Sequence, residues 1–185
     1  MLEVRDLGLP GVREIVPRRF GDARGWFVES WNAARFADHG LQFDWVQDNQ
    51  AFSAEAGTLR GMHWQRPPTA QTKLVRCLRG RVYDVAVDIR SGSATFGKWA
   101  GLELTAEAGN QILVPRGFAH AYLTLTPDAE VAYKVDAPYS AADEGAFRYD
   151  DPAVGIEWPW DGEPLLSDKD AAAPLLADVD TGFSA

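Results

Sequence analysis

The chain has 185 residues, 46% of them hydrophobic and 24% charged, the make-up of an ordinary globular protein long enough to bury a sizeable core. Its net charge of −9 opposes binding to a nucleic-acid polymer, which needs a basic face, although a few focused cations can still hold a small phosphorylated molecule. The single cysteine, Cys77, excludes an intrachain disulfide and fits a reducing, cytoplasmic location, and neither a signal-peptide core nor an apolar run of membrane-spanning length is present.

In chain order, residues 31–39 (WNAARFADH), stopped by Gly40, predict one short helix. Residues 72–79 and 81–89 flank Gly80 and read as a hairpin-like pair of strands. In the second, Tyr83, Val85, Val87 and Ile89 share one face, and Val82, Asp84, Ala86 and Asp88 the other. Cys77 alternates with Val75 and belongs to the core. His39, at a helix end, reads as a surface residue. Residues 111–115, 119–126 and 130–135 continue the strand pattern. Pro152, Pro159 and Pro164 make the next stretch irregular, and a second short helix is expected from Ser167. No domain boundary is visible, so residues 1–185 are read as a single domain. Many short strands at regular spacing imply a sandwich or barrel. Dinucleotide and P-loop glycine motifs are absent, so any nucleotide must be held by side chains and strand ends.

Residues 109–120 (GNQILVPRGFAH) set Gly109, Pro115, Gly117 and His120 at the spacing of the second cupin motif. Gly57 followed after five residues by His63 matches the start of the first. There the pattern departs from a metal cupin. The second histidine position is Gln65, and the position of the metal-binding glutamate, seven before Gly80, is Lys73. An amide is a poor ligand, and an ammonium repels a divalent cation. The expectation is a mainly β cupin jelly roll (a double-stranded β-helix) with a few short helices. Its site would be free of metal and of any other cofactor, with a lysine charge where the metal would act.

The segments ARGWFVESW (23–31), QDN (47–49), TLRGMHWQ (58–65), KLVRCLRGRVYDVAVDIR (73–90), GNQILVPRGFAHAYLTL (109–125), YKVDAPYS (133–140), EG (144–145), GIEWPW (155–160) and LSDKDAAAPLL (166–176) resemble the dTDP-4-dehydrorhamnose 3,5-epimerase family, in order and over nearly the whole chain. The resemblance implies a homodimer. It implies epimerisation of a dTDP-linked 4-keto-6-deoxy hexose at carbons 3 and 5. By matched position it gives His63 as base, Tyr133 as proton donor, Asp170 as the carboxylate behind the base, and Lys73 beside the developing enolate. Ligand contacts carry over to Arg24, Glu29, Gln47, Asn49, Arg60, His120, Glu144 and Lys169, with Tyr139 stacked on the thymine and Glu29 reaching a neighbouring subunit's site. Epimerisation at one carbon only, or a binding module without catalysis, would use the same fold.

The chemistry asks for these residue types. Inverting a carbon beside a ketone removes a proton from one ring face and returns one to the other. Histidine, with an ordinary pKa of about 6.5, suits the first task, and a tyrosine phenol can serve an enolate carbon in the second. A lysine can stabilise the enolate oxygen, and arginine forks suit the diphosphate. Two positions stay open between roles. Ser167 and Asp170 also form an S-x-x-D capping pattern, and His120 either contacts ligand or pairs with Asp84.

Overall fold

The computed structural model describes residues 2–185. Its elements run β1 (Leu2–Asp6), β2 (Arg13–Pro17), β3 (Arg19–Asp22), β4 (Gly25–Val28), α1 (Ala33–Ala37), β5 (Gln47–Ser53), β6 (Leu59–Gln65), β7 (Lys73–Arg79), β8 (Arg81–Asp88), β9 (Trp99–Thr105), β10 (Gln111–Val114), β11 (Phe118–Thr124), β12 (Ala129–Val135), β13 (Glu144–Ala146) and α2 (Asp168–Ala171). Two antiparallel sheets face each other, one ordered β1-β2-β10-β7-β12-β5 and the other β13-β6-β11-β8-β9, while β3 and β4 form a separate hairpin. This is the cupin jelly roll. No described helix is long and apolar enough to cross a membrane.

The period of two along each strand sorts side chains into layers. Val75 and Cys77 of β7, Val82 and Ala86 of β8, Ile112 of β10, Phe118 and Tyr122 of β11 and Val131 of β12 fill the interior between the sheets. The alternate residues Val85 and Val87 of β8 and Ala119 and Ala121 of β11 face outward. They are covered by Phe147, Val154 and Leu176 from the carboxyl-terminal segment. This double burial explains why β8 reads as a nearly unbroken apolar run. On the outer side of the other sheet, α1 presses Phe36 against Ile15, Leu74 and Leu113. Burying such a side chain contributes about 1.5–3 kcal/mol. Asn32 caps α1 by accepting from the Arg35 amide at 3.1 Å.

One expectation is corrected here. Residues 72–79 and 81–89 form strands but not a hairpin, because β7 pairs with β10 and β12 while β8 pairs with β11 and β9. Gly80 is where the chain passes from one sheet to the other. It takes φ +75°, and a Cβ there would collide with the Thr126 hydroxyl. A local pattern of two strands about a glycine does not distinguish a hairpin turn from such a crossing. The predicted helix at 31–39 shortens to Ala33–Ala37.

Candidate active site

Two sheets that face each other can bring unlike chemistry to one cavity. On the five-stranded sheet, His63 of β6 lies opposite His120 of β11 in register. On the six-stranded sheet, Lys73 of β7 sits beside Val135, and Tyr133 of β12 beside Val75. All four side chains line a cavity of about 540 Å³, together with Arg60, Lys169 and Asp170. The lining thus carries an imidazole and a phenol on opposite walls.

Gly61 positions His63. It takes φ +128°, and a Cβ would strike Ala121 and the His120 carbonyl. Only glycine lets β6 lie this close to β11 at the irregularity in their register. From the other side, α2 delivers Asp170, whose Oδ1 is 2.6 Å from His63 Nε2. Burial alone would raise the Asp170 pKa. The hydrogen bond and charge of His63, with contributions from Ser167 and the Gly61 amide, outweigh it and hold the carboxyl below its ordinary value. Asp170 is therefore an acceptor. Nε2–H of His63 donates to it, and Nδ1 keeps the lone pair that a base needs.

The capping alternative resolves by atoms. The α2 cap is the Ser167 hydroxyl accepting from the Asp170 backbone amide at 3.2 Å, so the Asp170 carboxylate is free to serve His63.

His120 pairs with Asp84, Nε2 lying 2.9 Å from each carboxylate oxygen. Asp84 is fully buried. Its pKa is raised by that burial, with His120 and Lys73 pulling it back. Burial drives Lys73 down to about 8, against the opposing charges of Asp84 and Glu144. Tyr133 is pushed up by burial, moderated by Arg60. It therefore stays protonated and able to donate.

At the rim a second set of residues is linked. Gln47 donates from Nε2 to Asn49 Oδ1 at 2.8 Å and accepts the Tyr139 amide at 3.2 Å. The Tyr139 hydroxyl is 3.4 Å from Glu144 Oε2, which pairs with Lys169 Nζ at 2.5 Å. Of the expected ligand contacts, Arg60, His120 and Lys169 line the cavity, Gln47, Asn49, Tyr139 and Glu144 adjoin it through Lys169, and Arg24 and Glu29 pair elsewhere in one protomer. Arg24, 89% exposed at the β3–β4 tip, pairs with Asp22 at 2.5 Å, and Glu29 pairs with Arg35 at 3.0 Å.

The donor set does not fit the divalent cation that other cupins hold. Gln65 donates to the Thr69 and Pro138 carbonyls and accepts from the Ser140 amide. Each histidine is tied to its own carboxylate, and the remaining position is the Lys73 ammonium. One aromatic lining residue escaped the sequence reading, Tyr122. The alternation that puts His120 on the inner face of β11 also puts Tyr122 there, which was the available signal.

The family model described as dTDP-4-dehydrorhamnose 3,5-epimerase matches residues 6–178. A Sinorhizobium fredii protein of that name is 48% identical over 183 residues, covering 97% of this chain and 92% of the relative. The chain belongs to the dTDP-4-dehydrorhamnose 3,5-epimerase family. Among solved members, the Bacillus anthracis epimerase with TDP and pyrophosphate bound superposes with a TM-score of 0.91. It is 44% identical, over 95% of this chain and 99% of that one. The Legionella pneumophila 3,5-epimerase in complex with dTDP-4-keto-L-rhamnose superposes at 0.93, with 41% identity over 97% and 95% of the two chains. This epimerase-family chain thus shares its cupin fold with members solved with TDP and pyrophosphate and with dTDP-4-keto-L-rhamnose.

Proposed function

We propose that the protein, a single cupin domain, converts dTDP-4-dehydro-6-deoxy-D-glucose to dTDP-4-dehydro-L-rhamnose by inverting carbons 3 and 5. The observation that carries the reading is the position of His63 and Tyr133, projected from opposite sheets into one cavity. His63 Nδ1 takes the proton from the carbon next to the ketone. The electron pair moves onto the 4-oxygen, where the Lys73 ammonium stabilises the enolate without a metal. Asp170 stabilises the imidazolium. Tyr133 then gives its proton to the other face of the same carbon, and the ketone re-forms. His63 then releases its proton to solvent and Tyr133 regains one, and repetition at the second carbon, after the ring has turned, completes the reaction. Arg60 and Lys169 supply cations for the diphosphate, and the Gln47–Asn49–Tyr139–Glu144 rim suits the nucleoside.

We further propose a cytoplasmic homodimer. The β3–β4 hairpin supports it, since Trp26 and Phe27 are 59% and 68% exposed there, an apolar surface that a lone protomer leaves wet. A neighbour's hairpin would bring Arg24 and Glu29 to the cavity. Incubation with the substrate in deuterated water, with a reductase to trap product, tests the activity. Deuterium at carbons 3 and 5 with both centres inverted is expected. Inversion at one carbon would make the protein a single epimerase, and no exchange would remove the catalytic reading.

A further inference from the structure

Tyr122 takes no part in the acid–base scheme, yet it faces the same cavity. Phe118, Tyr122 and, beside it, His120 lie on the inner face of β11, with the His120 and Tyr122 ring centroids 6.4 Å apart. Tyr122 is 4% exposed. Among the described residues lining the cavity, its hydroxyl is the only buried side-chain polar atom with no hydrogen-bond partner within 3.5 Å; the neighbouring Ser53 hydroxyl, which makes only a minor contribution to it, already accepts from Arg60 at 3.3 Å. A dry, unpaired phenol is unfavourable, and phenylalanine would fill the same space without that penalty.

The surroundings say what partner the hydroxyl suits. Burial drives the Tyr122 phenol up to about 12, with Tyr133 and Asp84 acting in the same direction and Arg60 and Ser53 against it. The group is therefore a neutral donor throughout the working pH range. The exposed cations, Arg60 and Lys169, stand at the mouth. The buried Asp84 carboxylate near Tyr122 would repel a phosphate. The oxygen that meets Tyr122 is thus uncharged and deep, which describes the hexose and not the diphosphate.

We propose that Tyr122 binds the sugar: its hydroxyl donates a hydrogen bond to a neutral oxygen of the hexose and holds the ring between His63 and Tyr133. This rests on the epimerase reading above. The test compares wild type with Tyr122→Phe in three measurements: turnover of dTDP-4-dehydro-6-deoxy-D-glucose, affinity for TDP (which lacks the sugar), and thermal unfolding. The expected result is a loss of about tenfold or more in kcat/KM, unchanged TDP affinity, and a melting temperature equal to or above wild type. A kcat/KM within about twofold of wild type would overturn the proposal. So would a parallel loss of TDP affinity, which would assign the hydroxyl to the nucleotide side, or a lowered melting temperature, which would show a structural partner. Failure of the wild type itself to exchange or turn over the substrate is a separate result. It would overturn the epimerase reading, and the sugar assignment with it.

Discussion

Asp170 Oδ1 lies 2.6 Å from His63 Nε2 although 107 residues separate the two. The carboxylate is 5% exposed and the imidazole 29%, so the anion is sheltered while the imidazole still meets the cavity. Both the tautomer of His63 and the stability of its charged form depend on this contact. Asp170→Asn keeps the backbone amide that Ser167 caps but removes the charge and the obligatory acceptor. Turnover should fall by about 10²–10⁴-fold, with little change in melting temperature. Ser167→Ala should do the reverse, lowering stability by about 1 kcal/mol while leaving most of the activity. Steady-state kinetics and thermal unfolding of the two variants check the division. If Asp170→Asn were the unstable variant and remained active, the carboxylate would be the cap.

Removing the phenol of Tyr133 separates two events that epimerisation couples. In Tyr133→Phe, His63 can still abstract a proton and return one to the face it came from. Hydrogen exchange with solvent then continues while inversion stops. In deuterated water the variant should label the substrate before it inverts, with product formation down about 10²–10⁴-fold. Proton NMR of recovered substrate reads this directly. Equal loss of exchange and inversion would place Tyr133 in substrate binding instead.

How much of this was visible in the sequence depended on whether a feature was local. Strand periodicity and the spacing of Gly109, Pro115, Gly117 and His120 are local, and they pointed to the cupin barrel. The positions of His63, Lys73, Tyr133 and Asp170 came from motif resemblance, and their convergence needed the fold, because β6, β7, β12 and α2 belong to distant parts of the chain. Gly80 misled because alternation about a glycine fits both a hairpin and a passage between sheets. Tyr122 lay hidden as one aromatic among many in an apolar strand. Its unpaired hydroxyl is a property of packing, which no local pattern encodes. Arg24 and Glu29 lie outside one protomer's cavity, so their predicted roles require a neighbour.

If the hairpin carries Arg24 into a neighbour's cavity, oligomeric state and activity are linked. Arg24→Ala should raise KM for the nucleotide sugar by about tenfold, the scale of one charge-assisted contact, while the protein remains folded. Trp26→Asp combined with Phe27→Asp should weaken association by removing the exposed apolar surface. Light scattering would then report monomer, and activity would fall with it. A fully active monomer would count against any contribution from the arm.

Lys73 gives the most specific pH signature. Its ammonium is driven down to about 8, first by burial, against the charges of Asp84 and Glu144. The charged form is the one that stabilises an enolate, so kcat/KM should fall as pH rises through about 8. Tyr133 cannot cause that limb, because burial moves its pKa upward. Lys73→Arg keeps a cation that does not titrate in this range, so its lower rate should hold beyond pH 9. Asp84→Asn removes a charge that supports the ammonium and should shift the limb to lower pH. The stability linkage has the opposite sense. A lysine whose folded pKa lies below its unfolded value opposes folding while charged, so stability should rise between about pH 8 and 10.5. Lys73→Met should accordingly be inactive and should lose that rise in stability between about pH 8 and 10.5. An inactive, folded variant without the rise would identify Lys73 as the group behind both effects; an active Lys73→Met would remove it from the reaction.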